Sequence, residues 1–487
     1  MINSTLAQLN AWTGTSSLVL EFDPAQCHVT LLGRLNADGS VKLPALMHFP
    51  DHGTLRITGS GSLGYDATRL NKPYVRVTFP AGKYRWEPVC IHPDVPGIAS
   101  DRRFDGFRRN WLNIFQINPK LRVLANHAAS DNCTHPFYKY ADIARYTPPL
   151  ADGLTALDLI RESLDRYLNG LLSYGMPGFV MFEYGGPASH EPPALDVYPS
   201  LVISACIAGE DDPAWFKRNY AGIRDWAEKI LAMDADGNGL IEYSFTGNSG
   251  SWPALGKVHP SNWWDCIGFG HADAYGNALA YRALRSLAKL APGADAPRYQ
   301  AAVDKLKAVY FPTFFNPATG ILAGWRSADG ELHDYWFVWL NSAAIHLGLV
   351  PHEQANAIMD RLLGKMREVG FQRFDLGLPG NLVVVPQADY CSPDPRWGGA
   401  GAFQVYENGG ATACFTYYTL AALYELGRRE EADRILFPML ESYAQGGFSG
   451  GGTNGMTNDW KTWDGTPWGY EGFLVDNYYA LLAVLRR

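Results

Sequence analysis

Charge is scarce in this 487-residue chain: Asp, Glu, Lys and Arg make up 18%, and the formal net charge is −8. No block of Lys or Arg occurs, so nothing in the sequence is suited to tracking a phosphate backbone or an anionic bilayer. Nucleic acid and membranes are therefore not expected as partners. Long apolar runs are missing too, and none approaches the roughly 20 residues that a membrane span requires. The 7 cysteines are odd in number, scattered and without CxxC spacing. That argues against a disulfide framework or a zinc site and for a reducing compartment. The opening MINSTLAQLNAWTGTSS has neither a basic n-region nor an apolar h-region, so a cytoplasmic location is expected. GxxxxGK[ST] is absent, which leaves a P-loop reading without support.

What the chain does have is aromatic residues: 15 Trp, 26 Tyr and 23 Phe. A large core uses most of them. Many Trp, however, stand beside Gly, Pro and Asp in loop-like stretches, where stacking on a sugar face or another flat apolar ligand is an expected use. At this length one core is not enough, and a large domain plus a smaller one is expected.

Residues 1–110 read as strands. SLVLEF, CHVTLLG, GTLRITG and YVRVTFPAG are β-rich runs separated by Gly, Pro and Asp-Gly punctuation, the pattern of an antiparallel β-sandwich. From Trp111 to Arg487 helical periodicity takes over. Trp215, Ile223, Trp226 and Ile230, for example, share one face. Eleven helices are expected, near 137–146, 152–173, 194–208, 213–233, 272–291, 296–310, 334–348, 352–368, 410–427, 429–445 and 471–485. Short turns such as GEDDP and LVPHE alternate with long connections. Short turns make antiparallel pairs, and long ones step between pairs. Closed into a ring, the pairs form an (α/α)6 toroid with the long loops on one face. FDGFRRNW, at 104–111, is where the two domains are expected to meet.

The stretch PSNWWDCIGFGHADAYGNALAYRAL contains the strongest chemical candidate. Asp265 follows two tryptophans and precedes a helix. A carboxyl among indoles loses hydration and its pKa rises, which suits a general acid. Asp273 lies closer to the helix start and is the better cap, which frees Asp265 from that duty. A glycosidase needs a second carboxylate to activate water. Asp459, Glu407, Glu471 and Asp464 are the candidates; Asp464 reads as a turn residue and Glu471 as the opening of the last helix. Composition does not rank Asp459 against Glu407. In DADGNGLIE, the positions Asp234, Asp236, Asn238 and Gly239 fit half of a calcium loop, but Phe245 stands where a Glu belongs. A turn is expected there, with no metal. His127 and His135 read as hydroxyl partners or loop structure.

NWWD followed by DAYGNALAYRALRSLAKLA resembles the signature of the six-hairpin glycosidases, nearest the group of trehalases, processing α-glucosidases and mannosylglycerate hydrolases. DADGNGLIEY and YENGGATACFTYYTLAALYELGR resemble further motifs of that group. The resemblance implies an inverting hydrolase without a cofactor, acting on a small α-linked glucoside-like carbohydrate. It makes Asp265 the general acid. The group's base is usually a Glu shortly before the final helix, a place held here by Asp459; this departure keeps Glu407 and Glu471 in play. Asn126, His127 and Asp131 would hold sugar hydroxyls. Trp252, Trp263, Trp264, Asp334, Trp336, Trp397, Trp460 and Trp468 would form the pocket walls, with Glu471 beside them. A monomer or homodimer is expected. A phosphorylase of the same architecture, using Arg326, Arg373 or Arg396 for phosphate, and a non-catalytic carbohydrate-binding toroid are the alternatives.

Overall fold

A computed structural model describes residues 1–68, 74–126, 132–173, 176, 193–243, 260–264, 266–390, 402–449, 457–469 and 473–487. A short helix α1 (Ile2–Ala11) leads into eight strands: β1 (Leu18–Phe22), β2 (Thr30–Leu32), β3 (Val41–Lys42), β4 (Ala45–Phe49), β5 (Gly53–Gly59), β6 (Ser62–Thr68), β7 (Tyr74–Phe79) and β8 (Tyr84–Val89). They form two antiparallel four-stranded sheets, ordered β1-β7-β6-β3 and β2-β4-β5-β8. Period-2 patterning sets the register. In β7, Val75, Val77 and Phe79 are buried while Arg76 between them is exposed and pairs with Glu21 across the ladder.

The helical part is built from α2 (Asp105–Asn110), α3 (Phe137–Ala144), α4 (Ala156–Leu168), α5 (Val197–Asp211), α6 (Pro213–Ala232), α7 (Ala274–Leu290), α8 (Asp295–Phe314), α9 (Val338–Leu347), α10 (His352–Glu368), α11 (Thr416–Glu425), α12 (Arg429–Ala444) and a terminal 3-10 helix, Val475–Arg486. Two kinds of helix alternate. In α5 every residue from Val197 to Gly209 is buried, the mark of a helix enclosed on all sides. The next helix, α6, buries only the stripe Trp215, Phe216, Ile223, Trp226, Ala227 and Ile230. Local chemistry fixes its start: Asp212 accepts the Trp215 N–H at 2.9 Å and Pro213 occupies the first turn. Each large side chain of that stripe contributes about 1.5–3 kcal/mol by burial. Trp215→Ala or Trp226→Ala would each remove a large part.

The enclosed helices touch in sequence, α3 to α5 to α7 to α9 to α11 to the terminal helix and back to α3, closing a ring among the described residues. The striped helices α4, α6, α8, α10 and α12 pack outside it. The result is a helical toroid with a β-rich part attached. Arg109, in α2, bridges the two parts, donating to Asp51 O at 2.7 Å and Ala444 O at 3.2 Å. His48 adds a second tie, with Nε2 lying 2.8 Å from Asn113 Oδ1.

Candidate functional site

Buried carboxylates stand at or just before the N-termini of α5, α7 and the terminal helix, as Asp196, Asp273 and Asp476, an arrangement that helix dipoles favour. Asp273 caps α7, accepting N–H bonds from Tyr275 at 2.7 Å and Gly276 at 3.2 Å. The expected cap is thus the observed one. Ser261 Oγ (2.7 Å) and Asn262 Nδ2 (2.8 Å) also donate to it. Burial pushes its pKa up to about 7, while these donors hold it down.

Asp196 sits just before α5, with its Oδ1 2.7 Å from His135 Nδ1 and its Oδ2 accepting the Trp263 N–H at 2.9 Å. Glu407 Oε2 accepts both the backbone N–H (2.8 Å) and the thiol of Cys266 (2.9 Å). Three fully buried carboxylates therefore grip the segment 261–266 on both sides of position 265. The backbone is tied as well, through Leu195 N to Ser261 O (2.7 Å) and Ser261 N to Gly268 O (3.0 Å).

Of the residues proposed from sequence, His127, Asp131, Trp252, Asp265, Trp397 and Glu471 lie outside the described residues, as does Arg396. Trp264, Trp460 and Glu407 come together. The Trp460 ring lies 5.9 Å from that of Trp264 and 5.1 Å from that of Tyr406. Asp459 stands beside Trp460 in the strand Thr457–Lys461 and is fully buried. Trp264 and Trp460 are fully buried too, so their rings are packing elements rather than exposed walls. Trp264 stacks on Trp339 at 5.5 Å and on Phe415 at 6.3 Å. Trp263 is partly exposed and rests on Phe415 at 5.1 Å.

Asp334 is not with this group. It accepts bonds from Asn316 Nδ2 (3.1 Å), the Trp336 N–H (3.0 Å) and Thr319, and so ties a turn together. Trp336 lies under the Lys365 ammonium at 5.4 Å. Trp468 is half-buried in the strand Pro467–Gly469, which pairs with Thr457–Lys461. Asn126 is buried at the entry to the ring. The DADGNG stretch is a turn closed by its own groups: Gly239 N donates to Asp234, Asn238 N to Asp236, and Lys305 approaches Asp234 at 3.4 Å. No cluster of metal ligands occurs among the described residues.

Sequence reasoning missed Asp196, because its partner Trp263 is 67 residues away. It also missed Lys139, which is buried under Phe415 and paired with Asp476 at 2.8 Å, and Lys461, two positions after Asp459. A single Lys in WKTW carries no burial signal.

No family model matches the sequence, and no curated protein matches it. Solved structures do match. The GH63 mannosylglycerate hydrolase from Thermus thermophilus, in complex with Tris and D-glycerate, is 14% identical with a TM-score of 0.50, covering 77% of this chain and 98% of that one. A rhamnosidase from Klebsiella oxytoca with rhamnose bound is 12% identical at TM-score 0.50, covering 99% and 97%. The GH78 rhamnosidase of Bacillus sp. GL1 is 12% identical at TM-score 0.50, covering 96% and 45%. The chain thus resembles the six-hairpin glycosidase-type toroids in fold.

Proposed function

We propose that the protein is an inverting glycoside hydrolase of (α/α)6 architecture, with residues 1–110 as a β-sandwich domain and 111–487 as the catalytic toroid. Asp265 is the general acid and Asp459 the general base, on an α-linked glucoside-like substrate. The observation that carries this reading is the grip of Asp196, Asp273 and Glu407 on residues 261–266. Acid catalysis requires a well-placed proton donor, and the fixing of residues 261–264 and 266 supports that role for Asp265. Glu407 already accepts two donors from Cys266 at one oxygen, which suits an orienting group, so the base role goes to Asp459. The fold likeness to glycosidases supports the same reaction class, while the sugar follows from the sequence resemblance alone. Phosphorolysis is less well supported: Arg373 is taken by Asp375 at 2.8 Å and Arg326 by Gly330 O at 3.2 Å.

The test is hydrolysis of a panel of aryl α- and β-glycosides with and without phosphate, following the anomer first released. Inversion by the wild type is expected, with Asp265→Asn and Asp459→Asn each losing about 10³-fold in kcat/KM. Full activity of Asp265→Asn overturns the assignment. Phosphate-dependent turnover makes the enzyme a phosphorylase, and sugar binding without turnover makes it a binding protein.

A further inference from the structure

Lys461 is the anomaly of the site. Its side chain is only 5% exposed. Its ammonium has no hydrogen-bond partner among the described residues, and it sits 4.0 Å from the centroid of the Phe448 ring. Every other deeply buried cation among the described residues has a carboxylate: Lys139 has Asp476 at 2.8 Å, and Arg282 has Asp142 at 2.6 Å. An ammonium removed from water without an acceptor is costly, and an aromatic face offsets only part of that cost.

The nearby charges do not complete it. Asp459 and Asp375 favour its protonation and Arg373 opposes it, but none of the three is hydrogen-bonded to it. Asp375 is held by Arg373 at 2.8 Å. The position is equally specific. Lys461 ends the strand that contains Asp459 and Trp460, and Trp460 packs on Trp264, the residue before position 265. A cation awaiting an acceptor thus stands two residues from the proposed base.

We propose that Lys461 receives a carboxylate of the substrate, which makes the substrate class acid-bearing glycosides. This rests on the hydrolase reading above. A carboxylate on either the glycone or the aglycone supplies the missing acceptor through a charge-assisted hydrogen bond. It also accounts for a lysine where an apolar residue would pack at less cost.

The test uses the full chain, as wild type, Lys461→Met and Lys461→Arg, with calorimetry and thermal melts. The probes are D-glucuronate against D-glucose, and lactate against propane-1,2-diol. At least one acid should bind the wild type about 10-fold or more tighter than its neutral partner. Lys461→Met should abolish that difference, and Lys461→Arg should keep part of it. Melts of the unliganded variants separate loss of fold from loss of binding.

Turnover of 4-nitrophenyl α-glucuronide against the α-glucoside, and of α-glucosyl lactate against α-glucosyl propanediol, then locates the acid in the glycone or the aglycone. The preferred pair should lose its ratio in Lys461→Met mainly through KM. Equal binding of acids and neutral partners by the wild type overturns the inference, as does a preference that survives in Lys461→Met; neutral-glycoside hydrolysis would then leave the hydrolase reading standing. Lys461-dependent acid binding with no glycoside turned over keeps the anion site and removes the hydrolase.

Discussion

Two lysines are buried among the described residues of this toroid, and they sit in opposite electrostatic situations. Lys139, on α3, is 1% exposed and has Asp476 Oδ2 at 2.8 Å and Cys414 Sγ at 3.0 Å, with the Phe415 ring at 4.5 Å. Burial pulls its proton affinity down, but Asp476 and Cys414 outweigh that and hold it above the ordinary value. Lys461 is about as deeply buried, and burial drags its pKa down to about 7, with Asp459 and Asp375 restoring only part. The first lysine is internally complete, joining two ring helices through α3 and the terminal helix. The second has no hydrogen-bond partner among the described residues. A buried ion with its partner maintains structure, whereas one lacking a partner marks a site.

The largest effect expected from this contrast is at Lys139. Lys139→Met leaves Asp476 as an uncompensated buried charge and should cost about 3–5 kcal/mol of stability. Urea unfolding would measure it. Adding Asp476→Asn should recover most of the loss, and a double variant no better than the single one would break the pairing argument.

Asp273 is an intermediate case, a buried anion held by neutral donors rather than a counter-ion. Asp273→Ala removes a helix cap and strands Ser261 and Asn262, a loss of about 2–3 kcal/mol. Its pH signature also has a definite sign. The folded pKa is about 7 against an ordinary value of 3.8, so the native state binds the extra proton between these values. Its contribution to stability is therefore greatest at low pH and declines as pH rises from about 4 to 7. Asp273→Asn should flatten that part of the stability–pH curve.

How much of this was legible from sequence follows the range of the interactions. Expected and observed limits of α10 coincide at 352–368, and α6 and α12 agree within a residue, because 3.6-residue periodicity and caps are local. Asp273 as a cap was readable for the same reason. The small sheets between helix pairs were not, since their two- and three-residue strands pair over long separations, as His271–Asp273 does with Trp325–Arg326. Trp264 and Trp460 read as ligand walls because indoles beside Asp and Gly look exposed. Their burial depends on Trp339, Phe415 and Tyr406, all distant in sequence. Helix α1 gave no comparable signal: it buries only Thr5 and Leu9.

Lys461→Met should act in the opposite direction to Lys139→Met and stabilise the unliganded protein by about 1–3 kcal/mol near pH 7 and below. The folded pKa lies at about 7, below the ordinary value of 10.5. Between those values the unfolded chain binds the extra proton, so the wild type gains stability as pH rises through this window. The advantage of the Met variant should shrink from about pH 7 to about pH 10. Melting curves across that range test this, and a constant difference would mean that Lys461 is not titrating in the fold.

The smallest effects concern the exposed pair next to Lys461. Arg373 and Asp375 are 48% and 41% exposed, so breaking their bridge should change stability by less than about 1 kcal/mol. They act on Lys461 with opposite signs, Asp375 favouring its protonation and Arg373 opposing it. Asp375→Asn should therefore lower the Lys461 pKa and Arg373→Gln should raise it, each modestly, as read by NMR of 13C-dimethylated lysine. If Lys461 were closed off from solvent-side charges, neither variant would move it. Opposite shifts with unchanged melting would show that surrounding charge modulates a proton affinity set mainly by burial.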